Sequence, residues 1–191
     1  TFLNGRAVVD VTYFNANLTN EITEDFSLFP LIRSINLDGE SKREGIEVAG
    51  RYQILPGVLL SATYTWLDAT DDKGLQELRR PEHQARFDVD WRFANNRARL
   101  NLSAIYNGDM EDLGFLAGPP FSRRVVLDDY WLVRLAGSYE LTPGVEAFGR
   151  IENLLDQNYQ EVLGYETAGL AAYAGLRFKL EAPLLQPGAL K

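Results

Sequence analysis

Cysteine is absent from this 191-residue sequence, and histidine occurs once, at His83. Without cysteine there is no disulfide framework, no thiolate zinc site and no cysteine nucleophile. A single histidine nearly excludes histidine-based metal clusters and Ser-His-Asp triads as well. We therefore expect no catalytic site, no bound metal and no cofactor, and the sequence does not indicate an enzyme.

Positive charge is also scarce, because 27 Asp and Glu residues outnumber 19 Lys and Arg residues and give a formal net charge of -8. Nucleic-acid-binding proteins need a basic surface that displaces counterions from phosphates, so we do not expect a nucleic-acid partner. No run approaches the ~18 to 20 apolar residues of a membrane-spanning helix. Residues 1–6 lack the basic region and apolar run of a signal peptide.

Apolar and polar residues alternate with a period of two through most of the chain. In residues 86–93, Phe87, Val89, Trp91 and Phe93 alternate with four charged side chains. A helix would scatter these charges around its surface, whereas a strand sorts them onto two faces. The pattern therefore predicts β-strands. Further strands are predicted at 97–107, 131–140, 145–152 and 170–180, and at roughly 7–18, 33–54 and 57–68.

Short and long connections alternate between these strands. Tight turns are predicted at 55–57, 94–96 and 142–144, where Pro, Gly and Asn favour antiparallel hairpins. Short turns on one side and long loops on the other are typical of up-and-down outer-membrane β-barrels. We therefore predict an all-β, antiparallel transmembrane barrel fold with about eight strands in this chain. The long connections are predicted at roughly 19–32, 69–83, 109–127 and 155–168.

Within the predicted strand 33–54 the apolar positions change parity. Ile35 and Leu37 lie at odd positions, whereas Ile46 and Val48 lie at even positions. One face of a strand stays apolar only while parity is kept. The slip near Gly45 therefore indicates a bulge, or a part of the chain that projects beyond the membrane.

The two faces of the predicted sheet have different roles. A charge in hydrocarbon costs roughly 2 to 4 kcal/mol at the midplane of a barrel, so the charged side chains are expected to face the lumen. Their signs are interleaved, which predicts cross-strand ion pairs and a lumen filled by water or a folded plug. The predicted lumen-facing residues are Asp88, Asp90, Arg92, Arg97, Arg99, Arg134, Glu146, Arg150, Glu152 and Arg177.

Aromatic side chains lie near the predicted strand ends on the apolar face. Amphipathic rings favour the boundary between membrane and water, so they are interpreted as two aromatic girdles. A β-sandwich core is the alternative, but strands of this length and so charged an opposite face disfavour it. The girdle residues are Tyr64, Trp66, Trp91, Phe93, Tyr106, Trp131, Tyr139 and Phe178.

Four motifs occur in chain order and resemble those of TonB-dependent outer-membrane receptors. Residues 151–159, Ile-Glu-Asn-Leu-Leu-Asp-Gln-Asn-Tyr, resemble the NL-x-D-x-x-Y signature near the end of these receptors. Residues 164–169, Gly-Tyr-Glu-Thr-Ala-Gly, resemble the GY-x-x-x-G run that follows it. Residues 36–47 resemble the N-x-G-x-x-x-x-x-G-x-E strand, and residues 64–69 with 79–84 resemble the next hairpin and its descending strand.

The resemblance implies a plugged barrel of roughly 22 strands, of which this chain supplies about the last eight. Residues 1–180 are then the C-terminal portion of the barrel, and residues 181–191 are a flexible tail. Phe178 fits the closing phenylalanine that serves as the barrel-assembly signal. The run at 164–169 looks most like that of cobalamin receptors, although Leu170 replaces the family's usual arginine.

The function implied by the resemblance is ligand-gated, TonB-dependent uptake of a scarce nutrient across the bacterial outer membrane. The nutrient is cobalamin or a ferric siderophore. The implied partners are the receptor's own plug domain, the TonB complex acting through the plug, the nutrient and outer-membrane lipid. Two alternatives stay open from the residues alone: a self-contained eight-stranded barrel acting as an anchor or pore, and a soluble β-sandwich binding module.

The candidate ligand contacts lie in the predicted long loops. An apolar loop tip around residues 118–120 is flanked by aromatic side chains and an arginine pair, which suit an apolar and an anionic ligand respectively. Acidic residues at 68–72 and 109–112 resemble oxygen-rich calcium loops, but they lack EF-hand spacing, so solvated acids are the preferred interpretation. The candidate ligand-binding residues are Phe115, Phe121, Arg123, Arg124 and Tyr165.

Overall fold

A computed structural model describes residues 1–28, 31–116, 118 and 122–179 of the chain. These residues contain no helix that is long and apolar enough to cross a membrane. The predicted tail at 181–191 lies outside the described residues. The strands are β1 Ala7–Thr19, β2 Ile22–Leu28, β3 Leu31–Asn36, β4 Glu40–Leu55, β5 Val58–Thr70, β6 His83–Phe93, β7 Ala98–Asn107, β8 Met110–Phe115, β9 Ser122–Leu127, β10 Tyr130–Thr142, β11 Val145–Glu152 and β12 Ala171–Phe178.

Eight of the strands form one antiparallel sheet in the order β1-β4-β5-β6-β7-β10-β11-β12, and β2-β3 and β8-β9 form separate hairpins. This confirms the predicted all-β fold and its eight long strands. The sheet is open, because β1 and β12 lie at its two edges and do not pair within the described residues. The alternative of a self-contained, closed eight-stranded barrel is therefore not what forms.

The register aligns the apolar positions of neighbouring strands. Leu60, Val89, Leu102, Leu135 and Ile151 are successive cross-strand partners from β5 to β11. Since side chains alternate along each strand, the aligned register gives the sheet one continuous apolar face and one polar face. The alternation of apolar and polar residues that was predicted for each strand thus extends across the whole sheet.

The parity change before Gly45 arises because residues 31–55 form two strands instead of one. β3 pairs with β2 in the first hairpin, whereas β4 pairs with β1 and β5 in the main sheet. Of the two explanations, a bulge near Gly45 does not occur, because the β1–β4 register is continuous there, and residues 31–36 instead lie in a hairpin outside the main sheet. The turns at 55–57, 94–96 and 142–144 also form as predicted, all at the opposite end of the sheet.

Aromatic rings cluster on the apolar face. Tyr106 and Trp131 are cross-strand partners with ring centroids 5.0 Å apart. The ring of His83 stacks near Tyr64, whose hydroxyl lies 2.9 Å from His83 Nδ1. His83 thus packs with the aromatic side chains of the apolar face through its contact with Tyr64.

Gly45 in β4 allows the close packing of β4 against β1 and β5 to be tested. A Cβ at this position would overlap the carbonyl oxygen of Trp66 and the ring of Phe14, whereas a Cβ at Gly50 in the same strand would have its nearest contact at 3.9 Å. We expect Gly45→Ala to destabilise the barrel by about 1–3 kcal/mol, because a backbone atom cannot easily move aside. Gly50→Ala is the matched control.

The measurement is the urea midpoint of a barrel containing this chain refolded in lipid vesicles, followed by heat-dependent electrophoretic mobility. Equal midpoints for the two variants would show that the strands separate at Gly45 without cost, contrary to this expectation.

Candidate functional site

Buried side chains concentrate at the end of the sheet that the long connections cover. Met110, Asp112, Leu127, Tyr130 and Asn153 are all less than 9% exposed there. Three segments meet in this region: the connection 71–82, the hairpin β8-β9 and the connection 153–170. We call these three segments the loop cluster.

Asp112 is the central residue of the loop cluster and is fully buried. The Oδ1 atom of Asp112 accepts hydrogen bonds from Arg79 Nε and from the backbone amide of Leu113, both at 2.8 Å. Its Oδ2 accepts a hydrogen bond from the Leu163 amide at 2.7 Å. One carboxylate therefore joins all three segments.

The ionisation of Asp112 follows from these contacts. Burial alone raises the pKa of its carboxyl, but the amides of Leu163 and Leu113 and the Arg79 side chain together outweigh burial and hold the pKa below its ordinary value. These contacts therefore stabilise the charged form of the carboxylate.

Arg124 makes a second connection within the loop cluster. Its Nη2 lies 3.1 Å from Asp71 Oδ2, and its Nη1 donates to the Gln76 carbonyl at 2.6 Å and to the Glu111 carboxylate. The Arg79 amide also donates to the Glu111 carbonyl at 2.7 Å. Arg124 therefore fixes the hairpin β8-β9 against the connection 71–82.

The loop cluster is also attached to the main sheet through β4. Arg43 bonds the Glu77 carboxylate through Nε at 2.8 Å and Glu21 through Nη2 at 3.1 Å. Glu77 in turn lies 3.5 Å from Arg80. These partly buried ion pairs hold the connection 71–82 against the main sheet.

The connection 153–170 has no regular strand, and two side chains shape it. Asn153 donates to the carbonyls of Gln157 and Ala168 at 2.9 and 3.2 Å, and it accepts from the Gln157 amide at 2.9 Å. Asp156 accepts from the Leu170 amide at 2.8 Å, which brings Gly169 close against it. The Asn and Asp of the 151–159 motif thus close this long loop at both ends.

An open groove of about 670 Å³ lies on the loop cluster. Phe115 and Tyr165 line it and are 83% and 72% exposed. Large aromatic side chains so exposed are costly in water unless they meet another molecule, so the groove is the candidate binding surface. The remaining lining residues are Arg79, Asp112, Leu113, Val162, Leu163 and Gly164.

The five residues predicted as ligand contacts have different surroundings. Phe115 and Tyr165 share the groove, although they are far apart in sequence. Arg123 is exposed on β9, opposite Gly114. The guanidinium of Arg124 bonds carboxylates and a carbonyl of the protein itself. Phe121 lies outside the described residues.

The acidic loop residues considered for calcium make other contacts. Asp71 Oδ1 accepts from the Lys73 and Leu75 amides at 2.9 and 2.8 Å, and Glu111 and Asp112 bond arginines. Across residues 1–28, 31–116, 118 and 122–179, no group of three or more His, Asp or Glu side chains is placed to hold a metal ion.

The polar face of the sheet carries the charged residues predicted for the lumen. Arg99 bonds Asp90 and Arg177 bonds Glu146, each at 2.6 Å, and both pairs connect neighbouring strands. Arg134 and Arg150 share the Glu152 carboxylate. Asp88 is held by Arg86 of its own strand at 2.6 Å. Arg97 is the exception: it lies in the turn before β7, its guanidinium contacts backbone carbonyls at the sheet's rim and lies 5.2 Å from the ring centroid of Tyr139 on the apolar face, in contrast to the lumen-facing position predicted for it.

This architecture agrees with what the sequence matches. Residues 1–154 match the family model described as TonB dependent receptor-like, beta-barrel. The chain belongs to the TonB-dependent receptor family. It is therefore an outer-membrane β-barrel protein, and its apolar face is the lipid-facing one. A soluble β-sandwich is excluded.

Two relatives and one solved structure illustrate the membership. The chain is 30% identical over 152 residues to the vitamin B12 transporter BtuB of Vibrio cholerae, which is 75% of this chain and 23% of that protein. It is 24% identical over 176 residues to the ferripyoverdine receptor of Pseudomonas aeruginosa, covering 87% of this chain and 22% of that protein. The crystal structure of that receptor bound to ferripyoverdine superimposes with a TM-score of 0.74 and 21% identity, over 93% of this chain and 25% of that one. The chain thus spans less than a quarter of the length of these relatives.

Arg79 and Asp112 hold the loop cluster together, and sequence reasoning did not single them out. In the sequence, Asp112 is one of several loop acids at 109–112, and Arg79 begins the motif at 79–84. One local signal existed: Asp112 alternates with Met110 and Gly114 on the buried side of β8, within the segment 109–127 that was predicted as a loop. The pairing itself spans 33 residues and leaves no local pattern.

Proposed function

We propose that this chain forms part of the barrel wall and ligand mouth of a receptor that imports a scarce nutrient, cobalamin or a ferric siderophore, through TonB-dependent gating. Family membership and the names of the relatives support nutrient uptake. The observation that supports the proposal most directly is the groove on the loop cluster. The side chains of Phe115 and Tyr165 line it and are exposed, on loops that hydrogen bonds hold together. A rigid, aromatic-lined groove suits a large, partly apolar ligand, because little loop ordering is needed when it binds.

In this proposal the charged face seats the receptor's plug domain. Most of its charges are already paired with one another, so the wall offers alternating hydrogen-bonding groups and not one dominant sign. Such a surface holds a polar plug without fixing it irreversibly, which suits a plug that the TonB complex must displace. The barrel wall itself then acts in transport and carries out no chemical step.

The proposal is tested by ligand affinity. In the full-length receptor, Phe115→Ala combined with Tyr165→Ala is expected to weaken nutrient binding about tenfold, since each lost aromatic contact costs roughly 0.5–1.5 kcal/mol. Val126→Ala is the matched control, because Val126 is also an exposed apolar residue of the hairpin, at 61%. Binding is measured by intrinsic fluorescence quenching with cyanocobalamin and with a panel of ferric siderophores.

An unchanged affinity in the double variant, for a ligand that the wild-type receptor binds, would remove the groove from the binding surface. If the wild-type receptor bound none of these ligands while remaining folded, the proposed nutrient class itself would be wrong.

A further inference from the structure

The chain contains two copies of one turn at the short-turn end of the barrel. Residues 3–7 read Leu-Asn-Gly-Arg-Ala and residues 94–98 read Ala-Asn-Asn-Arg-Ala. In both turns the three residues before the arginine have positive φ, at 54°, 56° and 84° in the first and 51°, 56° and 65° in the second. The two turns therefore share one backbone conformation. Three successive left-handed residues are rare, which makes the repetition notable.

The strands that these turns face also end in the same way. Residues 52–58 read Tyr-Gln-Ile-Leu-Pro-Gly-Val and residues 139–145 read Tyr-Glu-Leu-Thr-Pro-Gly-Val. Each strand loses its register one residue after the Gln or Glu, which leaves a β-bulge before the Pro-Gly turn. A bulge leaves backbone carbonyls without partners in the strand ladder. At a membrane boundary these carbonyls need a hydrogen-bond donor from elsewhere.

In the first copy that donor is Arg6. Its Nε and Nη2 donate to the Gln53 carbonyl at 3.1 and 2.9 Å, and Nη2 also donates to the bulged Ile54 carbonyl at 2.6 Å. The guanidinium carbon lies 5.7 Å from the ring centroid of Tyr52, which is on the lipid-facing side of β4.

The second copy repeats these contacts atom for atom. Arg97 Nε and Nη2 donate to the Glu140 carbonyl at 3.3 and 2.8 Å, and Nη2 donates to the Leu141 carbonyl at 3.2 Å. Its guanidinium carbon lies 5.2 Å from the ring centroid of Tyr139, again on the lipid-facing side. We call each such arginine, with its two carbonyls and tyrosine, a rim clamp.

Each rim clamp leaves one edge of the guanidinium unused. Nη1 of Arg6 and of Arg97 makes no hydrogen bond within the described parts of the chain. In outer-membrane barrels the short turns are periplasmic, so both clamps lie where the apolar belt meets the headgroups of the inner leaflet. A guanidinium edge held beside an interfacial tyrosine presents two N–H donors to that layer, and phosphate is the anion it matches best.

We propose that Arg6 and Arg97 form two equivalent binding sites for phospholipid headgroups of the inner leaflet of the outer membrane. The Nη1 edge of each arginine donates to the headgroup phosphate, while Nε and Nη2 hold the bulge. Two such sites, on the first and fifth strands of the sheet, fix the depth of this wall in the bilayer at two separate points.

Native mass spectrometry of the full-length receptor in detergent, titrated with phosphatidylglycerol, tests the proposal. The wild-type receptor is expected to retain two phosphatidylglycerol molecules that Arg6→Gln combined with Arg97→Gln loses, with at least tenfold weaker binding, and each single variant is expected to lose one. Arg51→Gln is the matched control, since it removes the same charge beside Tyr52 but on the polar face of β4. Diacylglycerol, which lacks the headgroup, should not compete.

Arg6→Lys combined with Arg97→Lys separates phosphate binding from the clamp's structural role. Lysine keeps the charge but cannot bond two carbonyls as a fork, so phosphatidylglycerol should be retained while the unfolding midpoint falls. Unchanged phosphatidylglycerol binding in the double glutamine variant, or an equal loss in Arg51→Gln, would overturn the proposal. If the glutamine variant does not fold, the wild-type receptor decides: equal retention of diacylglycerol and phosphatidylglycerol refutes headgroup sites. These readouts do not depend on which nutrient is transported.

Discussion

Expressed alone, the 191-residue chain is expected to yield no monodisperse folded protein, either in detergent or in lipid vesicles. The cause lies at the two edges of the sheet. About half of the backbone groups of the 13-residue strand β1 point away from β4 towards an edge that has no partner strand among the described residues, and those of β12 point away from β11 in the same way. In hydrocarbon each unsatisfied backbone group costs several kcal/mol, so the unsatisfied groups of the two edges together cost far more than the net stability of a typical domain.

The measurement is heat-dependent mobility on electrophoresis, together with size-exclusion chromatography after refolding into vesicles. The control is the same chain refolded with a polypeptide that supplies the remaining strands of the receptor barrel. We expect folded material only in that mixture, because only there do both edges find partners. A detergent-free monomer with a cooperative melt would contradict this and would require the sheet to close on itself.

The second large effect is expected at Asp112. Replacing it with alanine removes the acceptor for Arg79 and for the Leu163 amide and leaves both donors without their partner. Because Arg79 is half-exposed and water can replace part of the lost bond, we expect a local cost of about 2 kcal/mol, below the usual cost of breaking a fully buried pair. The connections 71–82 and 153–170 should then move independently.

Hydrogen exchange of the full-length receptor measures this directly. Amides at 76–82 and 160–165 should exchange about thirtyfold faster in Asp112→Ala, since about 2 kcal/mol corresponds to that factor, while β6 and β7 keep their protection. Asp128→Ala is the control, because Asp128 is an exposed acid near the end of the same hairpin. Loss of protection in both variants, or in neither, would show that Asp112 does not hold the loops together. Nutrient affinity should fall with loop protection if the groove is the binding surface.

Much of the fold was predictable because the bilayer imposes a simple rule on each strand. The alternation in residues 86–93 predicted the lipid-facing and polar sides of β6, and the ion pairs of Asp90 and Glu146 then formed between strands as the interleaved signs predicted. The turns at 55–57, 94–96 and 142–144 were equally clear, because Pro, Gly and Asn act within a few residues. The segment 33–54 was harder, since its parity change had two explanations and only the pairing of β3 with β2 decides between them.

The loop cluster was much less accessible. Phe115 and Tyr165 are predictable as aromatic loop residues, but their meeting in one groove depends on two long connections folding against each other. Arg124 illustrates the same difficulty. Its sequence position beside a loop tip suggests that it could bind an anion, but in the structure it pairs with the carboxylates of Asp71 and Glu111. The rim clamps, by contrast, left a readable signal: Asn-Gly-Arg-Ala and Asn-Asn-Arg-Ala precede two strands, and Pro-Gly-Val follows their neighbours.

The sequence by itself determined that this protein is an outer-membrane β-structure with short turns on one side and long loops on the other. It did so because period-two alternation and turn chemistry are local and a barrel strand obeys them independently of its neighbours. The tertiary structure alone decided which charges pair, how Asp112 joins three segments and where Arg6 and Arg97 direct their guanidinium groups. These are contacts between residues far apart in the chain, and they exist only once the strands have set their register.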